Sequence, residues 1–326
     1  ITYCIAPIVA TQPSWFYVMV VVTVLLFTEL KHTFTELAQR MKNDEMITLA
    51  KFLAISGIIL PMLPNENLIP DINLTPYTVW LATVVVSGIS YLSYLLRRYV
   101  FHESGILVSG IIGGLYSSTA TISVLARKSR KAPAQESPEY AAAMLLAVSM
   151  MFLRFLILIG IFSKAILAEI YPYLLIMSFV TAGVAWYLHR KRKPIPVTGE
   201  EAEEEDSSNP LEFKVALIFA VLFVIFTIVT HYTLIYTGTG GLNVLSFIAG
   251  LSDITPFILN LLQGSGVAVV VVTACCMQAI VSNIAVNMCY ALFFAGGKSP
   301  LRRWVLRGFG GVIAVNVCLL LFFYLL

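Results

Sequence analysis

The chain has 326 residues, of which 59% are hydrophobic and only 12% are charged, and its mean hydropathy is +0.87. Soluble globular domains are about 45–50% apolar, so this composition excludes an ordinary soluble domain and indicates a polytopic membrane protein. The net charge of +3 does not indicate nucleic acid as a partner, because the basic residues form short clusters between apolar runs, as membrane topology requires.

Eight apolar runs are long enough, or nearly so, to cross about 30 Å of hydrocarbon. In chain order they are Trp15–Leu30, Met46–Leu63, Tyr77–Leu96, Ala141–Ser163, Tyr173–His189, Phe213–Tyr236, Val267–Ala295 and Leu306–Leu326. Between the first two, the mixed charges of Lys31–Glu45 predict a short interfacial helix. A shorter apolar run opens the chain at Ile1, and because Ile1 is not a methionine we expect a missing segment upstream of it.

Two further apolar stretches are interrupted at their middles. Gly105–Ala126 contains two adjacent glycines and a run of hydroxyl side chains, and Asn243–Gln263 repeats the design with a glycine and a threonine at matching positions. Interrupted helices persist in lipid only where they are buried in protein or line a watery cavity. We therefore predict two re-entrant helical hairpins. The Gly-x-x-x-Gly pair Gly110 and Gly114 suits close packing of the first hairpin.

The distribution of positive charge favours hairpins over spanning helices. If both stretches are hairpins, all of the 21 lysines and arginines except Arg154 and Lys164 fall on one side of the membrane. If both stretches span, the charges divide almost equally, whereas short loops rich in lysine and arginine are normally cytoplasmic. The first hairpin is then flanked by charge and enters from the cytoplasm, and the second enters from outside. This arrangement is the inverted-topology repeat of many secondary transporters.

These patterns predict an all-α membrane protein with about eight transmembrane helices plus two re-entrant helical hairpins in an inverted-topology repeat. The N-terminal helices occupy residues 1–76, and the first half of the repeat occupies 77–190 with its hairpin at 105–126. Residues 191–210 are rich in proline and acids and predict a flexible cytoplasmic linker. The second half occupies 211–326 with its hairpin at 243–263.

Candidate substrate- or ion-binding residues lie at the hairpin tips and on the helix that follows each hairpin. A half-helix that begins at a tip carries partial positive charge, and hydroxyl or carboxylate side chains there can cap it or coordinate an ion. The candidates are Ser117, Ser118, Thr119, Thr121, Ser149, Arg154, Ser252, Asp253, Thr255, Ser282, Asn283 and Asn287.

Structural explanations compete with ligand binding at several of these positions. Ser117, Ser118 and Thr119 at the first tip are ordinary capping residues and Asp253 is another, and Thr255 followed by proline also fits a cap. Asn283 and Asn287 share a helix face and suit interhelical hydrogen bonding as well as substrate contact. Asp253 is an ionisable group at membrane depth and therefore a functional hypothesis by default, and Arg154 is either its counter-ion or an anion-binding group.

Nothing in the sequence indicates an enzyme. The four histidines have no serine, cysteine or acidic partner at a recognised spacing, and no nucleotide-binding loop occurs. Uphill transport would therefore use an ion gradient, with Na⁺ or H⁺ as the coupling ion, and we expect no cofactor. The sequence does not decide whether a metal binds.

Five runs of sequence resemble an uncharacterised bacterial membrane-domain family that is often fused behind an MgtC/SapB-type domain. These runs are LPMLPN (60–65), TPYTVW (75–80), SGISYLSYLLRR (87–98), GGLYSSTATISVLARKSR (113–130) and AGLSDITPFILNL (249–261). Where that family typically has Ala-Asp-Val-Asp, this chain has Ser252–Thr255 and lacks the second acid, which weighs against a strongly anionic site for a divalent metal. The paired hairpins also resemble the ion transporter superfamily of dicarboxylate carriers and arsenite permeases, which implies a mechanism class only.

The predicted function is secondary-active transport of a small ion or solute by alternating access, with the site between the hairpin tips. The alternatives are a cation channel or magnesium-linked permease, and a non-transporting membrane regulator or scaffold. We expect an integral protein of the bacterial inner membrane whose partners are the lipid bilayer and a small ion or solute. A homodimer is left open, and nucleic acid is not expected.

The predicted topology can be tested by cysteine labelling in a background that lacks the five native cysteines. Cysteines at Ser129, Glu136 and Glu203 should react only with reagent applied from the cytoplasmic side, because the first hairpin returns to the side it entered. Cysteines at Asn67 and Thr239 should react from outside. Labelling of position 129 from outside would replace the hairpin by a spanning helix.

Overall fold

The computed structural model describes residues 25, 43–67, 72, 74–96, 105–191, 213–263, 267–297 and 299–325. Within these ranges every regular element is helical, and seven helices are long and apolar enough to cross a membrane. This confirms an all-helical membrane protein. The chain divides into two compact units, Ile1–Ala54 and Ile55–Leu326. The predicted span Trp15–Leu30 and the predicted linker 191–210 lie almost entirely outside the described residues.

The longer helices are numbered in chain order. They are α1 (Asn43–Ala54), α2 (Pro76–Leu95), α3 (Ile106–Lys128), α4 (Ser137–Phe162), α5 (Lys164–His189), α6 (Phe213–Ala249), α7 (Ile254–Leu262), α8 (Val269–Ala295) and α9 (Leu301–Leu325). Of these, α1 belongs to the first compact unit and all the others to the second.

The predicted span Met46–Leu63 is not a single α-helix. α1 ends at Ala54, and a π-helical turn (Ile55–Ile59) and a short helix (Leu60–Met62) follow it. Proline at position 61 explains the change, because its ring clashes with the carbonyl four residues earlier and it has no N–H to donate. The apolar helical segment here is shorter than a membrane span.

A strong N-terminal signal starts α2. The Thr75 side chain accepts a hydrogen bond from the Thr78 N–H (3.1 Å), the Thr78 side chain accepts one from the Thr75 N–H (3.2 Å), and Pro76 occupies the first helical position. These two bonds form a capping box, which satisfies donors that the first turn would otherwise leave without partners.

The first interrupted stretch corresponds to α3, which is broken at Ser117. The backbone there is extended, with φ −158° and ψ 110°, so the helical hydrogen-bond ladder stops and restarts. A Cβ added to Gly113 would lie 2.5 Å from Oγ1 of Thr121. In a straight helix residues eight apart are about 12 Å apart, so the chain doubles back at Ser117.

Small residues let the first half of α3 lie against α4. A Cβ on Gly110 would collide with the backbone of Ala143, and a Cβ on Gly114 with the backbone of Ala147. The glycines are four apart on one helix and the alanines four apart on the other, as in small-residue contacts between membrane helices. The Gly-x-x-x-Gly pair therefore contacts α4, rather than the other arm of α3.

α4 and α5 are consecutive antiparallel helices joined through Ser163. The Ser163 side chain caps α5 by accepting from the Ile166 N–H (3.4 Å). Ser149 on α4 donates to the Ser178 carbonyl on α5 (2.9 Å), which ties the pair together.

The second interrupted stretch starts within α6. Residues 237–242, which lie between the predicted span Phe213–Tyr236 and the predicted hairpin at 243–263, are helical except at Gly238, where φ is +65° and ψ is −155°. Glycine adopts this left-handed conformation without the strain that a side chain would cause. α6 then ends at Ala249, a turn follows, and α7 begins at Ile254.

The centre of the second unit is α8, the most buried of the spanning helices. It contacts α3, α5, α6, α7 and α9. α9 is attached to α5 by a buried hydrogen bond in which the Tyr173 hydroxyl donates to the Asn316 side chain (2.6 Å). The polar residues that lie beside the two breaks belong to α4 and α8: Arg154 on α4, and Asn283 and Asn287 on α8.

We expect Gly114→Ala to destabilise the protein by about 1–3 kcal/mol, because the added methyl group would force α3 away from the α4 backbone. Gly183→Ala is the matched control: position 183 is exposed within α5, and nothing lies within 4 Å of its Cβ position. That control should be neutral or stabilise by up to about 1 kcal/mol. Thermal unfolding of the detergent-purified chain measures both, and equal effects would contradict the close contact.

Candidate functional site

A cavity of about 390 Å³ lies where the break in α3 meets the turn between α6 and α7. Residues from α2, α3, α4, α6, α7 and α8 line it. Its polar lining residues are Ser87, Ser90, Tyr116, Ser117, Ser118, Thr119, Arg154, Ser252, Asp253, Thr255, Asn283 and Tyr290. The rest of the lining is apolar and includes Met151, Phe155 and Phe219. The structure thus brings eight of the twelve predicted site residues to one cavity.

Arg154 bridges the two interrupted elements. Its Nη1 donates to the Tyr116 carbonyl (2.9 Å), and its Nη2 donates to the Thr255 hydroxyl (3.2 Å). Tyr116 directly precedes the break in α3, so its carbonyl lies at a helix C-terminus, where partial negative charge attracts a cation. The guanidinium therefore satisfies an orphan carbonyl of α3 and also contacts the first turn of α7.

A chain of amides makes the second connection between the interrupted elements. The Thr119 hydroxyl donates to Asn287 Oδ1 (2.8 Å), and Asn287 Nδ2 donates to Asn283 Oδ1 (3.1 Å). Asn283 Nδ2 then donates to the carbonyls of Gly250 (3.2 Å) and Ser252 (3.3 Å). These carbonyls lie in the turn between α6 and α7, outside either helix, so no helical N–H bonds them. Asn283 of α8 thus supplies donors to the carbonyls of the turn between α6 and α7, just as Arg154 supplies a donor to the carbonyl at the break in α3.

Asp253 is the cap of α7. Its Oδ1 accepts from the Thr255 N–H (3.0 Å), which confirms the cap predicted at Asp253, whereas the one predicted at Thr255 is wrong. Thr255 lies inside the helix instead, and its hydroxyl is available to Arg154. No nitrogen of Arg154 lies within 4.0 Å of an Asp253 oxygen, although the carboxylate is close enough to attract the guanidinium.

At the first tip, the hydroxyls have different neighbours. Ser117 caps the second arm of α3, because its Oγ accepts from the Ala120 N–H (3.3 Å). Ser118 is buried and lines the cavity, whereas Thr119 also joins the amide chain. At this tip Ser117 therefore both caps a helix and lines the cavity.

Four predicted residues lie outside the cavity lining. Thr121 faces Gly113 within α3, and Ser149 is bonded to Ser178. Ser282 donates to the Phe247 carbonyl (2.8 Å), and Asn287 reaches the cavity only through Thr119 and Asn283. Ser149, Ser282 and Asn287 thus hydrogen-bond to neighbouring helices rather than line the cavity.

Ser87, Ser90, Tyr116 and Tyr290 line the cavity but were not among the predicted residues. Ser87 and Ser90 are three apart and so share a face of α2, which is a signal the sequence offers. Arg154 and Tyr290 have the same spacing as Thr119 and Thr255. Tyr290 therefore occupies in the second half the position that Arg154 occupies in the first, and aligning the two halves would have selected Tyr290 as a candidate. Tyr116 contributes its carbonyl, which a residue type does not reveal.

The described residues contain no group of three or more histidine, cysteine or acidic side chains that could bind a metal. Asp253 is the single acid of the cavity lining, and Arg154 is its single base. The cavity is therefore neutral as a whole and rich in hydroxyl groups, and its charged groups are an arginine and an aspartate on different elements.

A family model described as a domain of unknown function (DUF4010) matches residues 84–295. The matched range contains every residue that lines the cavity. An uncharacterized protein of Aquifex aeolicus (strain VF5) is 27% identical over 205 residues, which are 59% of this chain and 84% of that protein. No solved structure matches the chain.

The bonding of Arg154 predicts how the protein responds to loss of each charge. Asp253→Asn should change stability by less than about 1 kcal/mol, because the amide still caps α7. Arg154→Gln should destabilise by about 1–3 kcal/mol, because the Tyr116 carbonyl loses its donor. Thermal unfolding in detergent measures both, with the exposed Glu169→Gln as control. A large loss in Asp253→Asn that Arg154→Gln rescues would show that the two side chains act as a buried ion pair.

Proposed function

The chain belongs to the DUF4010 family, a domain of unknown function, and we propose that it is a secondary-active transporter of a small ion or solute. The observation that carries the proposal is the cavity in which both interrupted elements meet, with Arg154 and Asp253 in its lining. Paired helix breaks at the centre of two chain halves are the usual position of a transporter's binding site. The proposed membrane is the bacterial inner membrane, and the proposed coupling ion is Na⁺ or H⁺.

The two interrupted elements are proposed to be re-entrant hairpins related by an inverted repeat. The reversal of the chain at Ser117 supports the first hairpin, and the turn between α6 and α7 supports the second. The one-sided distribution of lysine and arginine supports opposite entry of the two hairpins. Gly114 and Gly250 occupy matching positions in the two halves, because their spacing equals that of Thr119 and Thr255. Each of the two glycines lies against the helix that follows its own hairpin.

The hydrogen bonds have the reciprocity that an inverted repeat would produce. Arg154 follows the first hairpin, and it bonds a carbonyl of that hairpin and a hydroxyl of the second. Asn283 and Asn287 follow the second hairpin, and they bond carbonyls of that hairpin and the Thr119 hydroxyl of the first. Each half therefore satisfies its own break, and at the cavity each half's polar residues make one hydrogen bond to the other half's interrupted element.

This division suggests how access alternates. At the two breaks, the bonds to carbonyls lie within a half and keep each hairpin intact, whereas Arg154 to Thr255 and Thr119 to Asn287 join the halves at the cavity. Away from the cavity the halves are also joined by Tyr173 to Asn316 and by Arg130 to the Phe293 carbonyl. If one half rocks against the other, the two bonds at the cavity break and the carbonyl bonds at the breaks remain. A neutral hydrogen bond contributes about 0.5–1.5 kcal/mol and one to a charged group about 1.5–3 kcal/mol, so the two could bias but not block the movement.

Proteoliposomes of the purified chain test the proposal with labelled sodium, potassium, magnesium, small organic anions and amino acids, and with a proton-sensitive dye. We expect at least one solute to move above empty vesicles with saturation and counterflow. Thr119→Val and Thr255→Val should change the turnover of that solute by about 2- to 10-fold, since each removes one cross-half bond. Thr227→Val is the matched control, because the Thr227 hydroxyl bonds only within α6 and lies outside the cavity lining.

The alternatives have distinct outcomes in the same vesicles. Conductive movement of a cation without counterflow would indicate a channel, and magnesium as its cation a magnesium-linked permease. No movement of any solute would contradict transport and favour a membrane regulator or scaffold. The MgtC/SapB association and the likeness to the ion transporter superfamily remain predictions.

A further inference from the structure

The charges of the cavity are one positive and one negative side chain that do not pair with each other. Among the described residues that line it, Arg154 and Asp253 are the only ionisable groups charged at neutral pH. They form no ion pair within 4.0 Å. A charged group removed from water, as Arg154 largely is, normally pairs or binds a ligand, because a lone charge in a medium of low polarity is unfavourable. An arginine held by neutral dipoles, with an unpaired aspartate in the same cavity lining, is therefore unusual.

Both charged groups have bonding capacity that the protein leaves unused. A guanidinium has five N–H donors, and Arg154 uses one on each terminal nitrogen. Its Nε is buried without an acceptor, so the remaining donors that a ligand could meet are on the terminal nitrogens. Asp253 is exposed, and of its two oxygens only Oδ1 has a donor among the described residues.

The pair of charges discriminates between classes of ligand. A simple anion would bind Arg154 but be repelled by Asp253. A simple cation would bind Asp253 but be repelled by Arg154. A molecule with both charges gains from both side chains and leaves the cavity neutral. Building on the transport site proposed above, we infer that the cavity binds a small zwitterion, an amino acid whose carboxylate contacts Arg154 and whose ammonium group contacts Asp253.

The remaining lining indicates the kind of side chain. Met151, Phe155 and Phe219 form a buried apolar wall, and no third charged residue lines the cavity. A charged side chain would lose water there without gaining a partner. The volume of about 390 Å³ is within the range of small-molecule sites. The favoured ligand is therefore an amino acid with an uncharged side chain, and leucine is a suitable probe.

The binding experiment compares leucine with two analogues that share its carbon skeleton and lack one charge. Leucinamide has the ammonium group alone, and 4-methylpentanoate has the carboxylate alone. Calorimetric titration of the purified full chain in detergent should show leucine binding at least about tenfold more tightly than either, since a hydrogen bond to a charged group contributes that much or more. Other uncharged L-amino acids are titrated beside it.

Asp253→Asn separates the inference from a general loss of binding. It should weaken leucine about 10- to 100-fold and leave 4-methylpentanoate equal or tighter, because the repulsion of the carboxylate is gone while the cap of α7 remains. Arg154→Gln should show the reverse preference, for leucinamide. Glu169→Gln and Lys164→Gln remove one exposed charge of each sign and should change nothing. If Arg154→Gln does not fold, Asp253→Asn alone still decides the question.

Three results would overturn the inference: no uncharged amino acid binds, 4-methylpentanoate or leucinamide binds as tightly as leucine, or Asp253→Asn leaves leucine affinity unchanged. If another solute meanwhile moves in the proteoliposomes, the transport proposal stands and the zwitterion does not. If leucine binds with the expected dependence on both charges but shows neither flux nor counterflow, the ligand is correct and the transport proposal fails.

Discussion

The backbone carbonyls that two helix breaks leave without partners are the constraint on which this structure depends. A buried acceptor without a donor costs about 1–3 kcal/mol, and in hydrocarbon no water is available to replace the donor. The Tyr116 carbonyl obtains its donor from Arg154, and those of Gly250 and Ser252 obtain theirs from Asn283. The polar residues of α4 and α8 are therefore required by the breaks, whatever else they do.

That requirement explains how the neighbouring helices are built. A side chain can donate to a backbone carbonyl only if its helix lies close to the break, and close approach needs small residues at the contact. Gly110 and Gly114 of α3 lie directly against the α4 backbone, and Gly250 lies against α8 at Ser282 and Ala279. The small residues thus allow the close approach that the polar side chains need in order to donate to the carbonyls at the breaks. The cavity is the space that remains where the two sets of donors meet.

Local chemistry made much of the site predictable, and tertiary contacts made the rest unpredictable. Glycines followed by hydroxyl residues mark a helix break wherever they occur in an apolar run, and a lone arginine or aspartate at membrane depth marks a polar centre. The cap at Asp253 was not distinguishable from one at Thr255, because both residue types cap helices well and Arg154 engages the threonine hydroxyl. The spacing of Ser87 and Ser90 places them on one face of α2 but does not say what that face meets, and only the fold brings them to the cavity.

Neutrality of the cavity has a consequence for movement across a membrane. Each elementary charge carried through the membrane potential changes the free energy by about 2.3 kcal/mol per 100 mV. Arg154 and Asp253 have opposite charges, so under the proposed rocking of one half against the other the empty site would move almost no net charge. With a zwitterion bound, as inferred above, the loaded site also moves none. The site and its ligand would then add almost nothing to the voltage dependence of the cycle, and the charge of the coupling ion would account for nearly all of it.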